Sequence, residues 1–181
     1  PVFLGELDMA TTNLKKYIKN LSKKEIKEAM VAFFELGSVL QQRRQWSKMI
    51  KHYQSFARRF KRVDKGYLIR AYTLTGNAYV NQPKKYRDHR RARGAYQQAV
   101  KAYKSIPKSA LKDLPLEARS AAAEALFKLA TYEFNQVKKI EFTKVKKTKD
   151  VKRHIKMVQK NVQKLNKKMA KVKKSYEEVL S

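Results

Sequence analysis

Cysteine is missing from this chain of 181 residues, and glycine and proline are scarce, with five and four copies. Without cysteine the chain can form no disulfide bond and no zinc site with cysteine ligands. The few glycines and prolines leave long stretches rich in Ala, Leu, Lys, Gln and Glu, a composition that favours helices. The sequence therefore predicts an all-α protein without disulfides.

Long apolar runs are also missing, since none approaches the roughly 20 residues that a membrane-spanning helix needs. Hydrophobic residues make up 43% of the chain, enough to build a packed core at one-domain length. We therefore expect a soluble domain. Because the chain starts at Pro1 and its helical pattern reaches Ser181 without a stop signal, we interpret it as a fragment or processed form of a longer repeat protein.

Acidic residues are few: 15 Asp and Glu stand against 44 Lys and Arg, which gives a formal net charge of +29. Such a charge attracts polyanions and acidic proteins, so nucleic acid, anionic lipid and cell-wall polymer are candidate partners. The alternative is that lysine only solvates the outer faces of helices.

Helical periodicity and turn signals divide the chain into four parts. Residues 1–22 are predicted to form a leading or capping helix, and residues 23–66 a first helical hairpin. Residues 67–112 are predicted to form a second hairpin with a basic insertion over Asn81 to Arg91, which is a loop or an irregular helix extension, and residues 113–181 an elongated third hairpin.

Three local signals mark the boundaries between these parts. Ser22 and Glu25 have the spacing of a capping box, which begins a helix. Asp64-Lys-Gly66 predicts the next turn, and Pro115 suits the first turn of the helix that opens the third hairpin.

The last predicted helix carries apolar residues at alternating spacings of four and three. They are Val151, Ile155, Val158, Val162, Leu165, Met169, Val172, Tyr176 and Val179. This heptad seam predicts packing against a neighbouring helix over roughly 40 Å. A second copy of the chain could supply that helix, but the Ala-rich helix before it is the expected partner because pairing within the chain costs no association entropy.

The three hairpins share a pattern of large and small residues. The first helix has a large residue and then a small one four positions later, and the second helix has packing residues at spacings of three, four and three. The repeat-packing positions are Phe33, Gly37, Trp46, Met49, Tyr53 and Phe56; Tyr72, Gly76, Tyr96, Ala99, Tyr103 and Ile106; and Leu126, Ala130, Met169, Val172, Tyr176 and Val179. Small residues let paired helices approach closely, and the core spacing of the aromatic residues favours packing over base stacking.

These residues carry a resemblance to a known family. The matching positions are Leu36, Gly37, Trp46 and Tyr53 in the first unit and Gly76, Tyr96, Ala99 and Tyr103 in the second. At these positions the chain resembles the tetratricopeptide-repeat (TPR) family. The resemblance covers Glu25 to Val179 in three units. The resemblance implies a solenoid of antiparallel helix hairpins that acts as a non-catalytic scaffold or adaptor and binds another protein.

The chain departs from the family pattern in two ways. The second and third units contain about 11 and about 30 extra residues between corresponding positions of their helices, and Met49 and Val172 replace a small residue. A further likeness, over Ala121 to Phe142 and Lys164 to Val179, is to large periplasmic repeat proteins of predatory and gliding bacteria. It implies a bacterial periplasm or envelope, with the cytoplasm as the alternative.

No pattern of catalytic or metal-binding residues is present in the sequence. The histidines, which lie far apart among basic residues, are His52, His89 and His154. Asp113 and Glu117 are expected at a helix start, where capping and the helix dipole account for them, and Glu177 and Glu178 on an outer helix face. We therefore expect no metal, cofactor, small-molecule substrate or enzymatic activity.

Glycine gives no sign of a nucleotide site either. The phosphate-cradling loops of nucleotide-binding proteins are rich in glycine, whereas Gly37, Gly76 and Gly94 stand singly in helical patterns. Close packing of helices is the expected reason for all three.

Two basic clusters remain. The first is expected in loops and at helix ends, where arginine can bind carboxylate or phosphate in a bidentate manner, and it is the candidate ligand surface: Arg43, Arg44, Lys84, Lys85, Arg87, Arg90, Arg91 and Arg93. The second is a lysine-rich rod along the last hairpin, between Lys144 and Lys174, with almost no aromatic residue interleaved. Another protein is the leading partner class, and an acidic protein or polyanion bound by charge is the alternative.

Overall fold

The computed structural model describes residues 8–9, 11–13, 16–17, 26–62, 64–138 and 151–180. These residues are helical or in turns and contain no strand, so the predicted all-α fold is confirmed. The helices are α1 (Ile26–Gln42), α2 (Trp46–Phe60), α3 (Lys65–Asn81), α4 (His89–Lys104), α5 (Lys108–Leu111), α6 (Leu116–Lys138) and α7 (Val151–Leu180), with a 3-10 helix (Lys84–Tyr86) between α3 and α4.

The chain divides into two compact units, Pro1–Ala122 and Ala123–Ser181, with the boundary inside α6. Of the predicted leading helix, residues 8–9, 11–13 and 16–17 are described, and they are helical. The predicted capping box at Ser22 and Glu25 lies outside the described residues.

An aromatic core joins α1 to α2 in the first unit. Phe34 and Phe56 meet edge to face with ring centroids 5.2 Å apart, and Phe33 meets Phe56 in the same way at 5.6 Å. Both geometries are favoured by the aromatic quadrupole. Phe33 meets Phe60 whereas Gly37, one turn later in α1, meets Tyr53, almost two turns earlier in α2, so the two helices run antiparallel.

A glycine of the first helix faces a tyrosine of the second in both hairpins of the first unit. A methyl group on Gly37 would collide with the hydroxyl end of Tyr53, and one on Gly76 would lie 2.5 Å from Cε1 of Tyr96. Both tyrosines are buried. The two hairpins therefore share one packing arrangement, in which the missing side chain makes room for a ring.

The start of α3 shows why Gly66 is needed. The Asp64 side chain caps the helix by accepting a hydrogen bond from the Tyr67 amide at 2.9 Å. The predicted turn is therefore present, but Gly66 belongs to the first turn of α3, where a methyl group would lie 3.3 Å from Cβ of Ala118. Close approach to the start of α6 is thus the role of this glycine. The Thr73 hydroxyl adds a hydrogen bond to the Ala121 carbonyl at 3.0 Å.

The connection between α3 and α4 is shorter than predicted. Helix α3 continues through Asn81, and α4 already begins at His89, where the Asp88 side chain caps it through the Arg91 amide at 2.8 Å. The predicted loop over Asn81 to Arg91 therefore shrinks to Gln82–Asp88. The Asp88 cap accounts for the early start of α4, because its side chain satisfies a backbone amide of the first turn.

The heptad seam of α7 is not the uniformly packed surface that its spacing predicts. Val172 is 6% exposed and Leu165 is half-buried, but Met169 is 46% exposed. The half-buried residues Asn161 and Lys168 show that the covered face of α7 is rotated away from the seam. The packing role predicted for Met169 is therefore wrong, because an apolar period marks a face without supplying a helix to cover it.

The other repeat positions on described side chains show varied burial. Phe33, Ala99, Leu126 and Ala130 are buried, while Tyr72, Tyr103 and Trp46 are half-buried. The three half-buried aromatics lie where a helix face meets solvent. Within the second unit, Lys171 Nζ lies 3.3 Å from Glu133 Oε1, which links α7 to α6. The side chain of Tyr176 lies outside the described part.

Candidate binding surface

The basic candidates of the first unit gather at one end because its helices are consecutive and antiparallel. The α1–α2 turn carries Arg43 and Arg44, and the connection between α3 and α4 carries Lys84, Lys85 and Arg87. With antiparallel helices of 15 to 17 residues, both connections fall at the same end of the unit. The remaining three, Arg90, Arg91 and Arg93, are in the first turns of α4 rather than in a loop.

Several of these charges already have contacts inside the unit. Arg43 forms an ion pair with Asp8 and is only 16% exposed. Arg91 lies 3.3 Å from Asp88 Oδ2 but remains 71% exposed, and Arg87 donates from Nε to the Gln82 carbonyl at 3.0 Å. Arg43 is therefore held inside the unit, while Arg91 stays accessible to a ligand.

A polar cavity of about 620 Å³ opens at this end. It is lined by Ser38, Gln41, Gln42, Arg44, Trp46 and Asn81. Arg44 adopts a φ of 52°, the left-handed conformation that ends α1, and its side chain is exposed. The cavity thus offers a guanidinium, amides and an indole to a ligand, and its lining confirms that the α1–α2 turn and the end of α3 are adjacent.

A second cleft, of about 530 Å³, lies between α2, α3 and α4. Its lining residues are Gln54, Tyr72, Thr75, Tyr79, Arg91, Gly94, Ala95 and Gln98. The Gln54 amide donates to the Tyr79 hydroxyl at 3.0 Å, which fixes one wall. Mixed aromatic, amide and guanidinium groups around a concave surface are suited to binding a peptide segment.

Gly94 in this cleft differs from the packing glycines. A methyl group built there would meet no atom within 4 Å, and its φ is not positive. Close packing, expected for this glycine from the sequence, is therefore not its role. A glycine inside a helix lowers its stability by about 1 kcal/mol relative to alanine. At this position the glycine leaves a stretch of helix backbone uncovered inside the cleft.

In the second unit, α7 carries a row of exposed cations at spacings of three and four. They are Arg153, Lys156, Lys160, Lys164, Lys167, Lys171 and Lys174. At 1.5 Å per residue the row is about 32 Å long. This row is the described part of the predicted lysine-rich rod; Lys144 to Lys149 lie outside the description.

Neither a metal site nor a membrane-spanning helix is found among the described residues. No group of three or more His, Cys, Asp or Glu side chains there could hold a metal ion. None of the described helices is apolar enough over a sufficient length to span a bilayer. No family model, curated protein or solved structure matches the chain.

Sequence reasoning found the basic end of the first unit but missed the cleft. Gln54, Tyr72 and Gln98 come from three helices and share no local motif. Gly94 offered no distinguishing signal in the sequence, because only the structure reveals that it lacks the facing tyrosine of Gly37 and Gly76.

Proposed function

We propose that this protein is a non-catalytic, TPR-like scaffold that binds a segment of another protein. The observation that carries the proposal is the cleft between α2, α3 and α4, where Gly94 exposes helix backbone between Tyr72, Tyr79 and Arg91. A partner chain can approach an uncovered backbone more closely than one shielded by side chains.

The repeat character of the proposal is supported by the two glycine–tyrosine contacts. Gly37 against Tyr53 and Gly76 against Tyr96 place the same pair of residue types at the same point of consecutive hairpins. Stacked hairpins present extended concave surfaces, and such surfaces suit protein ligands. The third predicted unit lacks this support, because Met169 is exposed.

Charge defines the kind of segment that this cleft would take. Arg91 lines the cleft and is exposed, and Arg90 lies beside it on α4. Arginine binds carboxylates in a bidentate manner, so a segment with an acidic residue next to an aromatic or aliphatic one would match the cleft.

The proposal is tested by affinity capture from a lysate of the source organism at about 0.15 M salt, with nuclease present. The chain is compared with Gly94→Gln, which places a side chain in the cleft at a position where an added Cβ meets no atom within 4 Å. Ser120→Gln, on the exposed surface of α6, is the matched control.

We expect a defined protein to be retained by the parent chain and by Ser120→Gln, and lost with Gly94→Gln. Equal retention by all three chains, or retention of nucleic acid and other polyanions alone, would contradict the proposal. Urea unfolding of each variant establishes that loss of binding does not reflect loss of the fold.

The row of cations on α7 favours a second candidate function, electrostatic binding of a polyanion. Lysine neutralises phosphates without reading sequence, so this binding would weaken steeply as the salt concentration rises. Nucleic acid, an anionic membrane and cell-wall polymer share the required chemistry.

A further inference from the structure

Helix α7 exposes an apolar stripe on the side away from its row of cations. The stripe consists of Ile155, Val158, Val162 and Met169, which are 50%, 40%, 42% and 46% exposed. At 100° per residue these four positions fall within an arc of about 60°, and they extend over about 21 Å. Contiguous exposed apolar surface of this kind commonly marks an interaction site.

One edge of the stripe is polar or basic, and the other borders Leu165 and Val172, which are half-buried and buried. Gln159 and Asn166 flank its middle, and Lys152 and Lys173 flank its ends. The two acidic residues of α7, Glu177 and Glu178, come in its last turn, whereas ten Lys and Arg are spread along the helix. The formal charge of α7 is therefore 10 − 2 = +8, with histidine neutral.

Charge argues against a second copy of the chain as the occupant. Two α7 helices in contact would bring two charges of +8 within about 10 Å of each other, close to the Debye length at physiological salt. Repulsion between two helices of the same high charge opposes self-pairing even though most of the cations lie away from the stripe.

The width of the stripe argues against a membrane. Helices that lie in a bilayer surface bury a broad apolar face, of about 100° or more, with lysines on both sides. The exposed part of this face covers only about 60°, because Leu165 and Val172 on one edge are already partly or fully covered, and neutral amides border the other edge. A seam this narrow fits one facing helix.

We propose that the stripe docks an acidic amphipathic helix of another protein. Apolar residues of that helix, at spacings of three and four, would pack on Ile155, Val158, Val162 and Met169, and its carboxylates would face Lys152 and Lys173. The surface lies wholly in the second unit, so the proposal does not rest on the cleft between α2, α3 and α4.

The probe is a 21-residue synthetic helix with Leu at heptad positions a and d and Glu at the flanking positions. Its binding to the full chain is measured by fluorescence anisotropy at about 0.15 M salt. Ile155→Lys/Val162→Lys removes half of the stripe, while Gln159→Lys/Asn166→Lys adds the same two charges beside it.

Because both double variants add two positive charges, only the apolar contact distinguishes them. We expect Ile155→Lys/Val162→Lys to weaken binding about tenfold or more, since two aliphatic side chains that the complex would bury are lost. Gln159→Lys/Asn166→Lys should bind the acidic helix as tightly as the parent chain, or more tightly.

Equal or tighter binding by both variants would show attraction by charge alone and overturn the proposal. So would a dimer of the parent chain in sedimentation that Ile155→Lys/Val162→Lys dissociates, or phosphatidylserine vesicles that bind through the stripe when the acidic helix does not. A markedly lower Tm for Ile155→Lys/Val162→Lys than for the control would also overturn it, because the stripe would then be covered within the chain.

Discussion

Gly76 of α3 faces the ring of Tyr96 of α4 so closely that a methyl group on the glycine would lie 2.5 Å from Cε1 and 2.7 Å from Cδ1. The ring is held in place, since Tyr96 is buried and its hydroxyl donates to Asn77 Oδ1 at 2.8 Å. This contact sets how closely α3 and α4 approach, and with it the position of the cleft residues on both helices.

Replacing Gly76 with alanine should therefore destabilise the fold. Alanine is the better helix former by about 1 kcal/mol, but forcing a methyl group into a packed contact costs about 1–3 kcal/mol. We expect a net loss of up to about 2 kcal/mol in the free energy of unfolding, measured by urea denaturation followed by circular dichroism. An unchanged midpoint would mean that the Tyr96 ring can move aside.

Replacing Gly94 with alanine should instead stabilise the fold. No atom lies within 4 Å of the added methyl group, so alanine gains helix propensity without a clash. We expect Gly94→Ala to raise the free energy of unfolding by about 0.5–1 kcal/mol in the same assay. A destabilised Gly94→Ala would show that the cleft is occupied by part of the chain.

Tyr53 should make the stability of the protein fall at high pH. Burial raises the pKa of its hydroxyl well above the ordinary value of about 10, and nearby Arg70 only partly offsets this effect. Above pH 10 the unfolded chain loses the Tyr53 proton while the folded chain keeps it, so unfolding becomes easier by up to about 1.4 kcal/mol per pH unit.

The check compares the parent chain with Tyr53→Phe in urea between pH 8 and pH 11. Both chains share the remaining titrating groups, so the difference between their free energies of unfolding isolates the Tyr53 hydroxyl. We expect that difference to stay constant up to about pH 10 and then to shift in favour of Tyr53→Phe. Parallel curves over the whole range would refute this prediction.

The helical fold could be predicted because residues buried on one face of a helix recur every three to four positions in the sequence. Phe33 and Gly37 lie four residues apart on one face of α1, and that spacing correctly predicted that both are buried. The period could not show which apolar face has a neighbour: Val172 and Met169 belong to the same seam, yet one is buried and the other is exposed. The difference depends on what lies opposite the helix.

The candidate site was predictable only in part for the same reason. Connections at one end of antiparallel helices bring their charges together, so Arg44 and Lys84 could be assigned to one surface. The cleft depends on side chains from three helices, and Gly94 resembles Gly76 until the space opposite each is known. Contacts between residues distant in sequence decide such cases.

The row of cations on α7 should account for the salt dependence of any polyanion binding. Log affinity for duplex DNA falls as log salt concentration rises, and each lysine that neutralises a phosphate makes this negative slope steeper by about 0.9. Replacing Lys156, Lys160, Lys164 and Lys167 with Gln should therefore reduce that slope by up to about 4.

The matched control replaces exposed lysines of the first unit, Lys48, Lys51, Lys61 and Lys101, with Gln. Both quadruple variants have a formal charge of 29 − 4 = +25, so net charge is held constant and only its location differs. A 20-base-pair duplex titrated between 50 and 200 mM salt gives the slope for each chain. If both variants lose the same slope, the whole positive surface binds the polyanion; if only the α7 variant does, the row of cations is the polyanion site.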